Sequence, residues 1–178
     1  MDYLCTYSSP LGEITLASDG THLIGLWFEG GRYAGETISK DAVKRDDLPV
    51  FQETKHWLNL YFVGKDPNFR PPLLVRGSVF RKNVCQKILA IPYGQTKTYG
   101  DLAKEVAAER GLAHMSAQAV GGAVSHNPIS LIIPCHRVVG TNGSLTGYGG
   151  GIWRKVKLLE LEKVNLKNFF IPKKGTAL

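Results

Sequence analysis

From residue 13 the chain alternates polar and apolar side chains, Glu13-Ile-Thr-Leu-Ala17, and it resumes after Asp19-Gly20 as Leu23-Ile-Gly-Leu-Trp-Phe28. A period of two broken by a turn signal predicts antiparallel strands over residues 1–30, closed by Gly30-Gly31. Residues 31–47 are polar and mixed, either a loop or a further edge element. Pro49 stands where a helix can begin, and Phe51, Lys55-His56, Leu58 and Phe62 carry a helical pattern ending at Gly64. Asp66-Pro-Asn-Phe-Arg-Pro-Pro72 is a stiff connector that places a domain boundary near residue 75.

Beyond that boundary the period becomes helical. Phe80, Val84, Cys85, Ile88 and Leu89 form one apolar face, on which Cys85 reads as core packing. Pro92-Tyr-Gly94 breaks this helix, and Thr98 is a plausible N-cap for the next, which turns Leu102, Ala103, Val106 and Ala107 inward. After a turn at Gly111–His114, Ser116 caps a second helix, Ala117 to Ser125, built largely of small residues. Gly121 and Gly122 each cost about 1 kcal/mol of helix stability against Ala. Close approach of an outside backbone, as when a helix-turn-helix reads DNA, explains that cost; a tight helix–helix contact explains it equally. A last helix, from about Trp153 to Val164, sets Glu162 beside the apolar face of Leu158 and Leu159.

Charge separates the two segments. Residues 1–75 carry 7 Lys/Arg against 10 Asp/Glu, a balance of −3, and residues 76–178 carry 15 against 5, a balance of +10. The basic half has the footprint of a polyanion binder, with a basic surface kept for solubility as the plainer alternative. No apolar run reaches the roughly 18 residues of a membrane span, and Met1-Asp2-Tyr3 lacks the pattern of an export signal, so a cytoplasmic location is expected. Cys5, Cys85 and Cys135 cannot all pair and share no short metal spacing, so free thiols and no metal site are expected.

Candidate chemistry lies in Ser130-Leu-Ile-Ile-Pro-Cys135-His136-Arg-Val-Val139. Pro134 sets the thiol on a bend, and the apolar lead-in buries it. Burial alone raises a thiol pKa; an adjacent imidazole can reverse that by taking the proton. Adjacent residues of an extended segment point to opposite faces, so a bridging water is the expected proton path. An inward carboxylate at Glu162 would orient the imidazole. The glycine-rich stretch Gly140–Gly151, with Tyr148 as its one aromatic, has no phosphate-loop ending and reads as a wall for a flat ligand. Phe169–Lys174 forms a basic tail.

Pro134-Cys135-His136-Arg137-Val138-Val139, with Asn127-Pro128 upstream, resembles the active-site signature of the O6-alkylguanine-DNA alkyltransferases (methylated-DNA–protein-cysteine methyltransferases). The resemblance runs from Phe80 through Glu162 and, more loosely, back to Tyr7-Ser-Ser-Pro-Leu-Gly12. It implies an α/β N-terminal domain (a small antiparallel sheet plus helix), residues 1–75 here. This joins a mainly helical C-terminal domain with a helix-turn-helix, residues 76–178.

The implied activity is direct reversal of DNA damage. The alkyl group of O6-alkylguanine, with O4-alkylthymine a second candidate lesion, passes irreversibly to the protein's own cysteine. Cys135 would accept the group by in-line displacement, His136 would deprotonate it through water, Glu162 would orient the imidazole, and Asn127 would brace the turn. Tyr99 would contact the purine, the Val138 carbonyl would read its exocyclic amine, and Tyr148 and Gly149 would line the pocket, with Val124 added to the set. Ser116, Ala117, Gln118, Gly121 and Gly122 would enter the minor groove of double-stranded DNA from which the damaged nucleotide has been rotated. No cofactor, metal, membrane or obligate protein partner is implied, and a monomer is expected.

A non-catalytic alkyltransferase-like lesion binder is the alternative, but such proteins lack the cysteine of the signature. A cysteine hydrolase or a transcription regulator would leave either the basic helices or the Cys-His pair without a task. Two departures stand out: Gln118 replaces an arginine common in the family, and Ser130 and Gly149 replace a proline and a serine, implying a wider pocket. Glutamine brings no charge and less stacking. Gln118→Arg is therefore expected to raise affinity for, and the rate of transfer from, lesions in duplex DNA; no gain in either would reject this reading.

Overall fold

The computed structural model describes residues 1–173, so Lys174 of the basic tail lies outside the described residues. Two compact units divide the chain. The first comprises Met1–Gly77 together with Pro128–Ile132; the second comprises Ser78–Asn127 and the chain from Ile133 onward.

In the first unit, β1 (Tyr3–Ser9), β2 (Gly12–Ser18) and β3 (Leu23–Phe28) form an antiparallel meander. The alternating stretch 13–17 pairs Ile14 with Phe28 and Leu16 with Leu26, and these four side chains are buried. Asp19 makes the tight connection: its carboxylate accepts the amides of Thr21 and His22 at 2.9 and 2.7 Å. The polar stretch 31–47 is largely turns but contributes β4 (Val43–Lys44), which pairs parallel to β1 and gives a sheet order β3-β2-β1-β4. Both readings of that stretch therefore hold in part. The sheet is antiparallel apart from this short edge. Helix α1 (Pro49–Phe62) begins on Pro49, which lacks the amide hydrogen a first-turn position leaves unused, and buries Phe51, Trp57, Leu58 and Tyr61.

Arg76 closes the first unit. Its guanidinium grips both carboxylate oxygens of buried Asp2 at 2.7 and 2.8 Å, and the Ser39 amide donates to the same group at 2.9 Å. Beyond it, Leu26 exchanges backbone hydrogen bonds with Pro128 and Ser130, both 2.9 Å, which ties residues 128–132 to β3.

The second unit is helical: α2 (Val79–Leu89), α3 (Tyr99–Glu109), α4 (Ala117–Ser125) and α5 (Ile152–Leu161). Ser78, Thr98 and Ser116 each cap the helix that follows by accepting an amide hydrogen from three residues on, at 3.0–3.1 Å. Leu102, Ala103, Val106 and Ala107 are all buried, as the helical pattern predicts. Strands β5 (Lys97–Thr98) and β6 (Val138–Val139) pair in parallel and set the start of α3 beside the Cys-His segment. Helix α5 ends earlier than its apolar pattern suggests. Lys163 takes a left-handed φ of 60°, and the amides of Lys163 and Val164 bond back to the carbonyls of Glu160 and Leu159. Among the described residues no helix is long and apolar enough to cross a membrane.

The Asp2–Arg76 pair holds the chain start against the chain exit of its unit, and Asp2 has only 3% of its side chain exposed while Arg76 reaches water. Asp2→Ala is expected to lower stability by about 2 kcal/mol, less than a fully buried pair because Arg76 can be rehydrated. Urea unfolding followed by tryptophan fluorescence measures this, with Asp2→Asn separating the charge from the shape.

Candidate active site

All groups of the site come from the second unit. Cys135, His136 and Arg137 form a single 3-10 turn that starts where Pro134 stops the preceding segment, and all three are buried. The segment is thus a turn, not a strand. The Asn127 side-chain amide donates to the Ile133 carbonyl at 2.7 Å, which fixes the residue leading into Pro134.

Glu162 is the C-cap of α5 and is 2% exposed. Its carboxylate takes His136 Nε2 at 2.7 Å, Arg137 Nε at 2.9 and 3.2 Å, Arg137 Nη2 at 2.9 Å and the Gly94 amide at 3.1 Å. Gly94 has a φ of 75°, and a Cβ there would sit 3.2 Å from the Glu162 carbonyl oxygen, so the close approach suits glycine alone. Burial works against the Glu162 charge, but the hydrogen bonds and charges of His136 and Arg137 outweigh it and hold the carboxyl at about 2. The carboxylate is ionised, so the hydrogen shared with His136 sits on Nε2, and Nδ1 carries the basic lone pair.

Two cations enter this interior. Arg137 Nη1 donates to the Ile91 carbonyl at 2.6 Å, and Lys155 Nζ donates to the carbonyls of Val138, Thr146 and Gly147 at 2.6, 2.9 and 3.3 Å. Burial pulls Lys155 down to about 8, so it is mainly charged at neutral pH. Burial likewise pushes the Cys135 thiol up, opposed by the Asn127 side chain, the Lys155 charge and the amides of the turn. His136 is pushed down by burial against the pull of Glu162. The resting pair is therefore neutral thiol and neutral imidazole. With two cations against one carboxylate the cluster is one positive charge in excess, and ionising Cys135 would balance it.

The expected substrate residues surround this cluster. Tyr99 donates its hydroxyl hydrogen to the Thr146 carbonyl at 3.1 Å, and Lys155 Nζ lies 5.9 Å from its ring centre. The Val138 carbonyl already accepts from Lys155. Tyr148 buries its hydroxyl without a hydrogen-bond partner among the described residues, and Gly149 is half-buried in the same loop. Val124 faces the core of its unit, 4% exposed. On α4, Ser116, Ala117, Gln118 and Gly122 are exposed and Gly121 is half-buried. A Cβ at Gly122 would meet nothing within 4 Å, and one at Gly121 only the Tyr99 ring at 3.8 Å. No tight helix–helix contact demands these glycines.

Sequence reasoning missed Gly94, Arg137 and Lys155. Lys155 had a readable signal, since it lies three and four residues before Leu158 and Leu159, on the buried face that also located Glu162. Arg137 stood inside the signature without a task.

Comparison with known proteins decides the family. Residues 3–75 match the model of the 6-O-methylguanine DNA methyltransferase ribonuclease-like domain, and residues 79–164 match that of the 6-O-methylguanine DNA methyltransferase DNA binding domain. The chain belongs to the 6-O-methylguanine DNA methyltransferase family. It is 43% identical to the methylated-DNA–protein-cysteine methyltransferase of Mycobacterium tuberculosis (strain H37Rv) over 159 residues, covering 89% of this chain and 90% of that protein. It is 40% identical to the Haemophilus influenzae protein of the same name over 163 residues, 91% of this chain and 87% of that one. Among solved structures of the 6-O-methylguanine DNA methyltransferases, the M. tuberculosis protein in complex with DNA superposes with a TM-score of 0.78 at 41% identity, covering 90% and 92% of the two chains. The O6-methylguanine DNA methyltransferase of Methanococcus jannaschii gives 0.63 at 28% identity, covering 96% and 100%.

Acid stability reports on the cluster. Glu162 has a folded pKa below its ordinary 4.5, so its contribution is full above pH 4.5 and is lost as the pH falls toward about 2. His136 is also lowered, so loss begins below its ordinary 6.5, where the unfolded chain takes up the proton first. Glu162→Gln is expected to flatten the pH dependence between 4.5 and about 2 and to cost about 3–5 kcal/mol at pH 7, because Arg137 is left buried without its anion. Near-UV circular dichroism during urea unfolding at several pH values measures both.

Proposed function

We propose that this chain repairs DNA by moving the alkyl group of O6-alkylguanine onto Cys135 Sγ. The sulfur–carbon bond forms as the carbon–O6 bond breaks, the thiol proton passes to His136 Nδ1 and then to the departing guanine, and the base is restored. Cys135 is the acceptor, His136 the base, Glu162 the group that orients and stabilises the imidazolium, and Asn127 the brace of the turn. The thioether does not turn over, so each molecule acts once. Buried Cys135 within the same unit as the hydrogen-bonded His136–Glu162 pair is the observation that carries this reading.

The DNA-facing part follows from α4. Its glycines lack an internal packing reason, so the close approach they permit serves an outside partner, and the +10 balance of residues 76–178 suits a duplex. Ser116, Ala117, Gln118, Gly121 and Gly122 enter the minor groove, and the lesion is rotated into a pocket lined by Tyr99, Val138, Tyr148 and Gly149. Val124, on the buried face of α4, completes the substrate-binding set. The protein works as a monomer in the cytoplasm, where its three free cysteines remain reduced.

Duplex DNA carrying O6-[methyl-labelled] guanine is expected to transfer one label per protein to Cys135. Cys135→Ser should transfer none, and His136→Gln should slow transfer by about 10²–10⁴-fold. Binding without label would instead favour a lesion-binding protein, and label on another residue would reject the assignment.

A further inference from the structure

The transfer reading gives Arg137 no task, yet its three side-chain nitrogens are all engaged. Nε and Nη2 hold the Glu162 carboxylate, Nη1 holds the Ile91 carbonyl, and the guanidinium lies 5.6 Å from the Tyr93 ring centre. Buried, with each nitrogen already engaged, it is not presented to a phosphate arriving from outside. It acts on what it touches, and that is the carboxylate it shares with His136.

A lone carboxylate beside a buried imidazole draws a proton onto the ring, because opposite charges attract strongly where water is excluded. A ring so protonated cannot accept the proton of a thiol. A guanidinium on the same carboxylate cancels that pull. With it present, protonating His136 leaves the trio with an uncompensated positive charge; without it, the same protonation would make the imidazole–carboxylate pair neutral overall.

We propose that Arg137 is a positioning residue for the base: by sharing the Glu162 carboxylate with His136, it keeps the imidazole uncharged and turned with Nδ1 as the acceptor at neutral pH. The inference rests on His136 taking the Cys135 proton. The charged groups acting on the His136 ring are Glu162 at the C-cap of α5, Arg137 from its own turn and Lys155 from α5; Cys135 precedes it in that turn, and Tyr148 from the glycine-rich loop faces Cys135, Arg154 and Glu162. Burial, Arg137 and Lys155 hold the ring neutral, and Glu162 opposes them. Removing Arg137 therefore tips the balance toward imidazolium.

Arg137→Met keeps the length of the side chain without its charge, and Arg137→Lys keeps the charge without the fork. Single-turnover transfer from O6-methylguanine in duplex DNA is followed against pH for both and for the wild type. The histidine rings of the DNA-free proteins are titrated by NMR in parallel. The acid limb of Arg137→Met is expected to move up by about one pH unit, so that transfer is about tenfold slower at a pH on the wild-type acid limb and near-normal once the ring is again neutral. The His136 ring should titrate higher by the same interval, and Arg137→Lys should keep a limb close to the wild type. A folded Arg137→Met with an equal loss at every pH, or with unchanged His136 titration, overturns the proposal. So does an imidazolium at His136 in the wild type at pH 7, an outcome that does not depend on either variant folding. A wild type that transfers no label would overturn the repair reading instead.

Discussion

One buried carboxylate holds the working half of this protein together. Glu162 sits where α5 stops, and its two oxygens collect hydrogens from the Cys-His-Arg turn and from Gly94 in the segment between α2 and β5. Two stretches distant along the chain are thereby bound to one side chain. Moving a charge out of water is costly, and only this dense set of donors makes it tolerable. The same donors fix which way the imidazole faces. Stability and chemistry therefore depend on the same atoms.

The surrounding charges extend that economy. Lys155 donates its three hydrogens to the carbonyls of Val138, Thr146 and Gly147, so the strand beside the Cys-His-Arg turn and the glycine-rich loop are held by one ammonium group. Tyr99 donates to one of the same carbonyls. A loop rich in glycine, anchored in the core only by Leu145, would otherwise have little to keep its shape. The buried hydroxyl of Tyr148 stands at this wall without a partner among the described residues, a feature suited to a site that completes its hydrogen bonds on binding.

Helix α4 shows the opposite balance. It forgoes side chains that would stabilise it, and nothing in its own unit presses on the positions left bare. Its stability comes from the Ser116 cap and from Val120, Ala123 and Val124 on its buried face. A surface that must fit closely against a partner has no room for bulk, and the helix is weaker in isolation as a result.

The sequence by itself determined most of the elements and which residues are candidates for the site. Period-two alternation located β2 and β3, capping residues marked the starts of α3 and α4, and helical spacing turned Glu162 inward. These signals are local, acting within one turn or one pleat, so a linear reading catches them. Only the tertiary structure decided what reaches Glu162, because Gly94 and Arg137 lie 68 and 25 residues from it. It also decided that residues 128–132 pack with β3, that 31–47 supplies a parallel edge strand, and that the thiol rests protonated. Protonation state and long-range pairing depend on everything packed around a group at once, and no short window of sequence contains that sum.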